Sequence, residues 1–292
     1  MTTELTRLNI TAGIASTSVA LTLVALKLWA LAETGALSIA ASLVDSGLDL
    51  MVSLAGLAAM IYAARPPDDD HTFGHSSAED LAALGQSVFI LIAAGVIGTA
   101  AARRLLSDTP PELAAEGRGM LVMAISILLT LALVVWQRYV ARRTGSRVVS
   151  ADSLHYVGDL IPNIGAIVSL WAAQRFGLGA IDSVVAIGAA GILAVGAINI
   201  GSGAWDALMD RNADPEIIRG IEDLARSWPG IEGFHDLRTR TAGSKIFVNI
   251  HVEIDGRLPL TIAHDIGAGL RHAILDRYPQ TDVIIHHDPV RY

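Results

Sequence analysis

The sequence predicts an all-α membrane domain of six transmembrane helices, followed by a C-terminal α+β domain. Only 17% of the 292 residues are charged, against about 25% in an ordinary soluble domain, and the mean hydropathy is +0.49. The apolar residues form long blocks between positions 8 and 203, whereas the remainder has the composition of a water-soluble domain. We therefore expect the membrane domain to cover residues 1–209 and the second domain residues 210–292.

Six apolar blocks are long enough to cross a bilayer, because a hydrocarbon core of about 30 Å needs about 20 helical residues. Glycine- and proline-containing breaks separate them, and they cover residues 10–32, 37–64, 80–102, 119–141, 149–172 and 180–203. An even number of spans places both termini on the same side of the membrane. Seven arginines lie near helix ends on that side and four on the other. Since cytoplasmic loops carry the excess of basic residues, we expect cytoplasmic termini. Lys27, near the opposite end of the first block, is expected to extend toward the lipid headgroups.

The pattern after position 210 alternates between helical and strand-like periods. Asp214-Pro215-Glu216 has the composition of a helix start, with a capping side chain and a proline in the first turn. Two strand-like runs joined by a short turn, a helix and a final strand follow, at 235–241, 245–254, 261–278 and 282–286. The order α-β-β-α-β predicts a small α+β sandwich.

Composition also limits the classes of function. The formal net charge of −8 disfavours nucleic acid as a partner, since binding it requires a basic face. The chain has no cysteine, which removes thiolate metal sites, so nitrogen and oxygen must hold any metal. The N-terminus lacks the basic region and cleavage site of a signal peptide, so the first block is expected to be retained.

Ionisable residues interrupt the second and fifth apolar blocks. Asp45 and Asp49 are four residues apart, as are His155 and Asp159, so each pair lies on one helix face. An aspartate in a spanning helix costs about 2.5–3.5 kcal/mol and marks a functional site. Three carboxylates and one imidazole form a shell that Zn²⁺ accepts. Neighbouring carboxylates in a medium of low dielectric need a cation or protons, which is a physical basis for exchanging metal against H⁺.

Other interpretations of these residues are possible. Hydrogen bonding between helices explains a single intramembrane aspartate. It explains less well two pairs of ionisable residues that are each four residues apart. Asp152, at the membrane edge, is expected to be a solvated residue at a helix start. The imidazole disfavours Mg²⁺ and Ca²⁺, so Zn²⁺ leads, Fe²⁺ and Cd²⁺ remain possible, and Mn²⁺ is the weakest candidate.

The other histidines lie outside the predicted spans. In Asp68-Asp69-Asp70-His71-Thr72-Phe73-Gly74-His75, the spacing does not distinguish a solvated acidic linker from a surface metal site. In the C-terminal domain, metal binding is favoured for side chains near the ends of predicted elements, namely His235, His251, His264, His286 and Asp288. His272 is interpreted as a surface residue, and His287 should face away from His286 because strand side chains alternate.

Several motifs together resemble one known family. They are SLVDSGLDL, RPPDDDHTFGHSSAEDLAAL, ADSLHYVGDLIPN, FHDLRTR, IHVEI, AHDI and DVIIHHDP. With them the sequence resembles a cation diffusion facilitator, most similar to the bacterial ferrous-iron and zinc efflux transporters. The resemblance implies a transporter rather than an enzyme, a homodimer in the inner (plasma) membrane, alternating access, proton antiport out of the cytoplasm, and a ferredoxin-like cytoplasmic domain.

The resemblance also implies three metal sites. The transport site carries over onto Asp45, Asp49, His155 and Asp159, and a loop site onto Asp68, His71 and His75. A binuclear cytoplasmic site at the dimer interface carries over onto His235, His251, His264, His286 and Asp288. Relatives commonly have a lysine where this chain has Ser77, and that lysine pairs with an aspartate after the sixth helix. Asp210 therefore lacks this partner, and we expect a weaker interlock between protomers.

The sequence thus predicts a Zn²⁺/proton antiporter. An exporter of Fe²⁺ or Mn²⁺ is the alternative within transport. A metal sensor, in which the histidines of the C-terminal domain report cytoplasmic zinc, is an alternative of a different class. A membrane metalloenzyme would need an open coordination position and a nearby general base, and neither is evident in the sequence.

Overall fold

The computed structural model describes residues 2–34, 37–106, 117–160 and 181–290. The chain forms two compact units, one covering Thr6–Ala204 and the other residues 205–292 together with residues 1–5.

The first unit is helical. Its helices are α1 (Thr2–Thr34), α2 (Leu37–Ala63), α3 (Ser77–Leu106), α4 (Gly117–Thr144), α5 (described over residues 147–160) and α6 (Ile181–Leu208), the last of which continues into the second unit. Among the described residues, α1–α4 and α6 contain five segments long and apolar enough to cross a membrane. The fifth predicted span, 149–172, is helical up to residue 160, and its remainder lies outside the described residues.

Small residues allow these helices to pack closely. The main buried cluster consists mostly of alanine and valine, with Ala12, Met60, Ala83, Val140, Val148, Val149 and Ala204. A side chain at Gly201 of α6 would collide with Ser87 of α3. Many large apolar side chains instead lie on the outside, among them Leu21, Met51 and Ile92. This distribution is the one expected of helices solvated by lipid and associated through small residues.

The second unit confirms the predicted order of elements. It contains α7 (Pro215–Ser227), β1 (Gly233–Ala242), β2 (Lys245–Asp255), α8 (Leu260–Arg277) and β3 (Thr281–Val290). Asp214 caps α7 by accepting a hydrogen bond from the backbone N–H of Glu216. The sheet order is β1-β2-β3, with β1 antiparallel and β3 parallel to β2. The parallel pair requires a crossover connection, which α8 supplies.

The strands have one buried face and one exposed rim. Val248, Ile250 and Val252 of β2 are buried with Leu270 and Ile274 of α8. The strand pairing aligns His251 with His235 of β1 and with His286 of β3 in one row. Next to this row, β1 is irregular between His235 and Arg238, where Asp236 adopts φ 48°. A bulge of this kind re-aims the neighbouring side chains.

Candidate metal centres

Helices α2 and α5 bring together three of the four side chains predicted for the transport site. His155 Nε2 lies 3.0 Å from Asp49 Oδ1. One ligand atom from each of Asp49, His155 and Asp159 lies within 4.8 Å of the others. An imidazole nitrogen and carboxylate oxygens at this spacing are ligands that Zn²⁺ accepts.

Asp45 is the predicted ligand that does not converge with the others. Its side chain is exposed, and it is absent from the group of described ligand atoms within 4.8 Å of one another. One helical turn, about 5.4 Å along the axis, separates it from Asp49. The shared helix face predicted for the two aspartates therefore does not bring both to α5 in this conformation.

Lys27 lies close to this site. Its ammonium donates a hydrogen bond to Ser46 Oγ at 2.6 Å, and it interacts electrostatically with Asp49, Asp45 and Asp159. The prediction that Lys27 extends toward the headgroups is wrong, because Ser46 and two aspartates of α2 and Asp159 of α5 offer partners.

Hydroxyl groups tie three helices together beside the metal ligands. Ser53 Oγ lies 2.9 Å from Ser16 Oγ and 2.9 Å from the Tyr156 hydroxyl, and all three side chains are buried. Ser53 lies one turn after Asp49, and Tyr156 follows His155 directly. These bonds join α1, α2 and α5 and so fix the spacing of the ligands. We did not identify this cluster from the sequence, although the i,i+4 spacing of Asp49 and Ser53 was a signal.

Asp152 is buried rather than solvated. The residue is 3% exposed, and Gln137 Nε2 of α4 donates to its Oδ2 at 2.6 Å. Asp152 also interacts with Ser16. The prediction of a solvated helix start is wrong because α4 covers this turn of α5.

The loop between α2 and α3 gathers its three predicted residues. Asp68 Oδ1 lies 3.3 Å from His71 Nδ1, and Asp68 Oδ2 lies 3.2 Å from His75 Nε2. The backbone N–H of His71 donates to Asp68 and holds the pKa of that carboxyl below its usual value. Asp69 and Asp70 are not members of this group. Of the three neighbouring aspartates, Asp68 is thus the one that meets both histidines.

The C-terminal domain brings together four of its five predicted residues. Asp288 Oδ2 lies 2.9 Å from His251 Nδ1 and 3.6 Å from His235 Nε2, and Asp288 Oδ1 lies 3.4 Å from His286 Nε2. The hydrogen bond with His251 is the main cause of a lowered pKa of Asp288. Glu253, whose Oε1 lies 4.0 Å from His235 Nδ1, is an acidic neighbour that we did not identify from the sequence.

His264 does not join this group within one chain. It lies on α8, and its ring centroid is 6.4 Å from that of His287. His287 faces α8, away from His286 as strand alternation predicts, and a side chain at Gly267 would collide with its Nε2. The α8 layer therefore separates His264 from the row of ligands on the strands.

Asp210, for which the resemblance implied no lysine partner, forms an ion pair within its own unit. Arg240 Nη1 donates to Asp210 Oδ1 at 3.3 Å. Asp210 has φ 57°, in the small left-handed region where aspartate is enriched. In this chain an arginine of β1 supplies the cation for Asp210.

The chain matches known proteins over almost its whole length. Residues 13–209 match the cation efflux transmembrane domain, and residues 213–290 match the cytoplasmic domain of cation efflux proteins. The chain belongs to the cation efflux family.

Relatives of this cation efflux protein agree in length as well as in sequence. The cation-efflux pump FieF of Pectobacterium carotovorum is 42% identical over 284 residues, which cover 97% of this chain and 94% of that pump. FieF of Escherichia fergusonii is 41% identical over 283 residues, covering 97% and 93%. Among solved structures, the metal-bound C-terminal domain of the CzcD transporter from Thermotoga maritima is 28% identical, with a TM-score of 0.25, and covers 25% of this chain and 87% of that domain. A nickel form of the MamM C-terminal domain is 20% identical, with a TM-score of 0.26, and covers 27% and 100%.

Membership settles the class of function. The protein is a membrane-spanning efflux pump for divalent metal ions, so the metal is its substrate. It is a transporter and not an enzyme, and the metalloenzyme alternative is removed. The resemblance seen in the sequence motifs is confirmed.

Proposed function

We propose that this cation efflux protein is a Zn²⁺/proton antiporter that exports Zn²⁺ from the cytoplasm by alternating access, with Fe²⁺ or Cd²⁺ as further substrates. The observation that carries the proposal is the 3.0 Å contact between His155 Nε2 and Asp49 Oδ1 within the helical unit, with Asp159 converging on the same point. A single ion there would have one nitrogen and two oxygen ligands from protein.

The donor set favours zinc over the hard cations. Mg²⁺ and Ca²⁺ prefer shells made only of oxygen, whereas imidazole suits Zn²⁺ and Fe²⁺. Asp45 completes the shell in this proposal. With cytoplasmic termini, Asp45 lies one turn nearer the outer side of the membrane than Asp49. Its exposed side chain can therefore contact the bound ion from that side.

Proton coupling follows from the same ligands. Metal binding requires deprotonated carboxylates and a neutral imidazole, so it releases protons. Without a metal, carboxylates held close together favour protonation. The two cations therefore compete for Asp49, His155 and Asp159, and competition of this kind gives exchange rather than joint transport.

We place the transport domain at residues 1–209 and the cytoplasmic domain at residues 210–292, with both termini in the cytoplasm and the helices in the inner (plasma) membrane. The arginine distribution and the positive-inside rule support this orientation. The protein acts as a homodimer, and a second copy would bring another His264 toward the histidine row. Because Asp210 pairs with Arg240, the dimer depends more on its cytoplasmic domains than in relatives with the lysine.

The two outer clusters are regulatory in this proposal. Asp68, His71 and His75 lie in the loop after α2, and the row formed by His235, His251, His286 and Asp288 lies on an exposed rim of the sheet. Metal binding at these positions would report the cytoplasmic concentration. Binding at the row would also stabilise the cytoplasmic dimer.

The test measures Zn²⁺ flux in proteoliposomes with a metal-sensitive dye inside. Asp49→Asn keeps the shape of the side chain and removes its charge, so flux should fall to the level of empty vesicles. Asp282→Asn, on an exposed position of β3, is the matched control and should retain full flux. Full flux in Asp49→Asn would refute the site.

The second test concerns coupling and metal identity. An imposed pH gradient should drive Zn²⁺ toward the acidic side while protons flow toward the alkaline side, and a pH dye reads the proton flow. Indifference to the gradient would identify a channel or uniporter. Parallel measurements with Zn²⁺, Fe²⁺, Cd²⁺ and Mn²⁺ rank the substrates, and faster Fe²⁺ than Zn²⁺ flux would make the alternative exporter the correct one.

A further inference from the structure

The outer face of α4 changes character over its last three turns. The buried positions are Leu133, Val134, Gln137, Val140 and Thr144, and the exposed positions are Val135, Trp136, Arg138, Tyr139, Arg142 and Arg143. The exposed set repeats every three to four residues, so it forms one face of the helix. This face lies outside the contacts that hold the helical unit together.

Along this face apolar residues give way first to aromatic and then to cationic side chains. Leu128, Leu131 and Val135 are exposed in the first part. Trp136 and Tyr139 follow and stack with ring centroids 5.7 Å apart. Tryptophan and tyrosine concentrate at the level of the headgroups, so this stack marks where α4 leaves the hydrocarbon region.

A surface cavity lies at this boundary. It has a volume of about 530 Å³ and is lined by Val135, Arg138, Tyr139, Arg142 and Arg143. Arg143 Nη1 donates to the Tyr139 hydroxyl at 2.7 Å, which orders one wall. The cavity therefore joins an apolar end, an aromatic wall and three guanidinium groups.

Two of these guanidinium groups have no acidic partner among the residues that the structure describes. Within the ranges that the structure describes, neither Arg138 nor Arg142 forms an ion pair. The two residues are one turn apart on the same face. Guanidinium binds phosphate through paired hydrogen bonds, so the complementary ligand is an anion of this kind.

We propose that this cavity binds the headgroup of an anionic phospholipid. Arg138 and Arg142 hold the phosphate, Tyr139 lies at the glycerol level, and the acyl chains run along Val135 and Leu131. A free phosphate ion would use only the guanidinium groups and would leave the aromatic and apolar wall in contact with water. A membrane lipid satisfies both ends at once, which is why basic pockets beside spanning helices select anionic headgroups.

The test uses native mass spectrometry of the full-length protein in detergent. The protein is mixed with equal amounts of phosphatidylglycerol and phosphatidylcholine that carry the same acyl chains. The wild-type protein should retain phosphatidylglycerol preferentially. The double variant Arg138→Gln/Arg142→Gln should show about a 25-fold smaller preference, since each basic residue near the surface contributes about a fivefold effect.

A matched control separates this site from general charge. Arg219 and Arg238 lie exposed in the C-terminal unit, so Arg219→Gln/Arg238→Gln removes the same charge and should keep the preference. A further variant, Arg138→Lys/Arg142→Lys, keeps the charge without the paired hydrogen bonds and should show an intermediate preference. If the glutamine variant fails to fold, the lysine variant tests the site in its place.

Three outcomes would overturn the proposal. They are equal retention of the two lipids by the wild-type protein, an equal loss of preference in the control variant, and displacement of bound phosphatidylglycerol by millimolar inorganic phosphate. The last outcome would identify a phosphate site rather than a lipid site. None of these measurements involves metal, so the result is independent of the proposed antiport.

Discussion

Two clusters of the molecule use the same chemistry in different solvents. In the helical unit His155 lies 3.0 Å from Asp49, and in the C-terminal unit His251 lies 2.9 Å from Asp288. The side chains of the first pair are 10% and 16% exposed, whereas those of the second are 36% and 32% exposed. The pairs therefore differ in surroundings rather than in ligands.

The difference in solvent separates the tasks that the clusters can perform. Burying charged groups without compensation costs several kcal/mol per ion, so the proposed antiport has the membrane cluster exchange one cation for another. Exposed pairs are worth little and are screened by water and salt. The C-terminal cluster can therefore remain without metal at small cost, which agrees with the regulatory role proposed for it.

The largest effect that tests this comparison comes from removing one histidine in each cluster. Loss of an outer-shell partner of a metal ligand costs about 10–100-fold, so removing the ligand itself in His155→Ala should lower Zn²⁺ flux in proteoliposomes by more than about 100-fold. His251→Ala should lower the flux by less than about 10-fold, the lower end of that range. The physical reason is that the membrane site loses a ligand with no water to replace it.

Flux at saturating and at limiting Zn²⁺ distinguishes ligand loss from lost regulation. The loss of Zn²⁺ flux in His155→Ala should be the same at both Zn²⁺ concentrations. The loss of flux in His251→Ala should differ between the two concentrations. Equal losses in the two variants at every concentration would mean that both clusters lie on the transport path.

A smaller effect is expected from Asp152. Asp152→Ala leaves the buried amide of Gln137 without its acceptor, which should lower the free energy of unfolding by about 1–3 kcal/mol. Unfolding by sodium dodecyl sulfate in mixed micelles measures this quantity.

The control is Asp282→Ala, an exposed aspartate of β3, for which the change should stay within about 0.5 kcal/mol. Asp152→Asn keeps an oxygen acceptor and should recover part of the loss. If Asp152→Ala is as stable as the control, the buried polar contact between α4 and α5 does not stabilise the fold.

The smallest effect concerns pH and the C-terminal domain. Burial, followed by the neighbouring His264, lowers the pKa of His287 from its ordinary value of 6.5. The unfolded chain then takes up this proton first as pH falls. Stability is therefore complete above about pH 6.5 and decreases as the pH falls toward the folded pKa.

The fragment 210–292 has its own hydrophobic core and allows thermal unfolding to be followed by circular dichroism with a chelator present. His287→Gln should lose less stability than the wild-type fragment between pH 7.5 and pH 5.5. If His287→Gln and the wild-type fragment lose the same stability between pH 7.5 and pH 5.5, His287 titrates alike in the folded and unfolded states.

Much of this architecture could be predicted because its signals are local. Apolar blocks of sufficient length predicted the spans, and periodicity predicted the order α-β-β-α-β in the C-terminal unit. The i,i+4 spacing placed Asp49 near His155 in the prediction, since residues on one face of each helix meet the same neighbour.

The errors arose where contacts between distant elements decide the outcome. Asp152 is buried because Gln137 of α4 covers it, and nothing near Asp152 in the sequence indicates that contact. The alignment of His235, His251 and His286 depends on strand register, which periodicity alone does not fix. His264 lies on α8, in the other layer, and its place in a site shared between protomers stays a prediction.

Lys27 has a consequence for the valence of the transported ion. Its ammonium is held by Ser46 beside Asp45, Asp49 and Asp159. When all three carboxylates are ionised and His155 is neutral, one fixed ammonium leaves a net charge equal and opposite to that of one divalent ion. A monovalent ion would leave the site negative and a trivalent ion would leave it positive. In the proposed transport site, a lysine that is not a ligand would thus match the charge of the four ligands to that of a divalent ion.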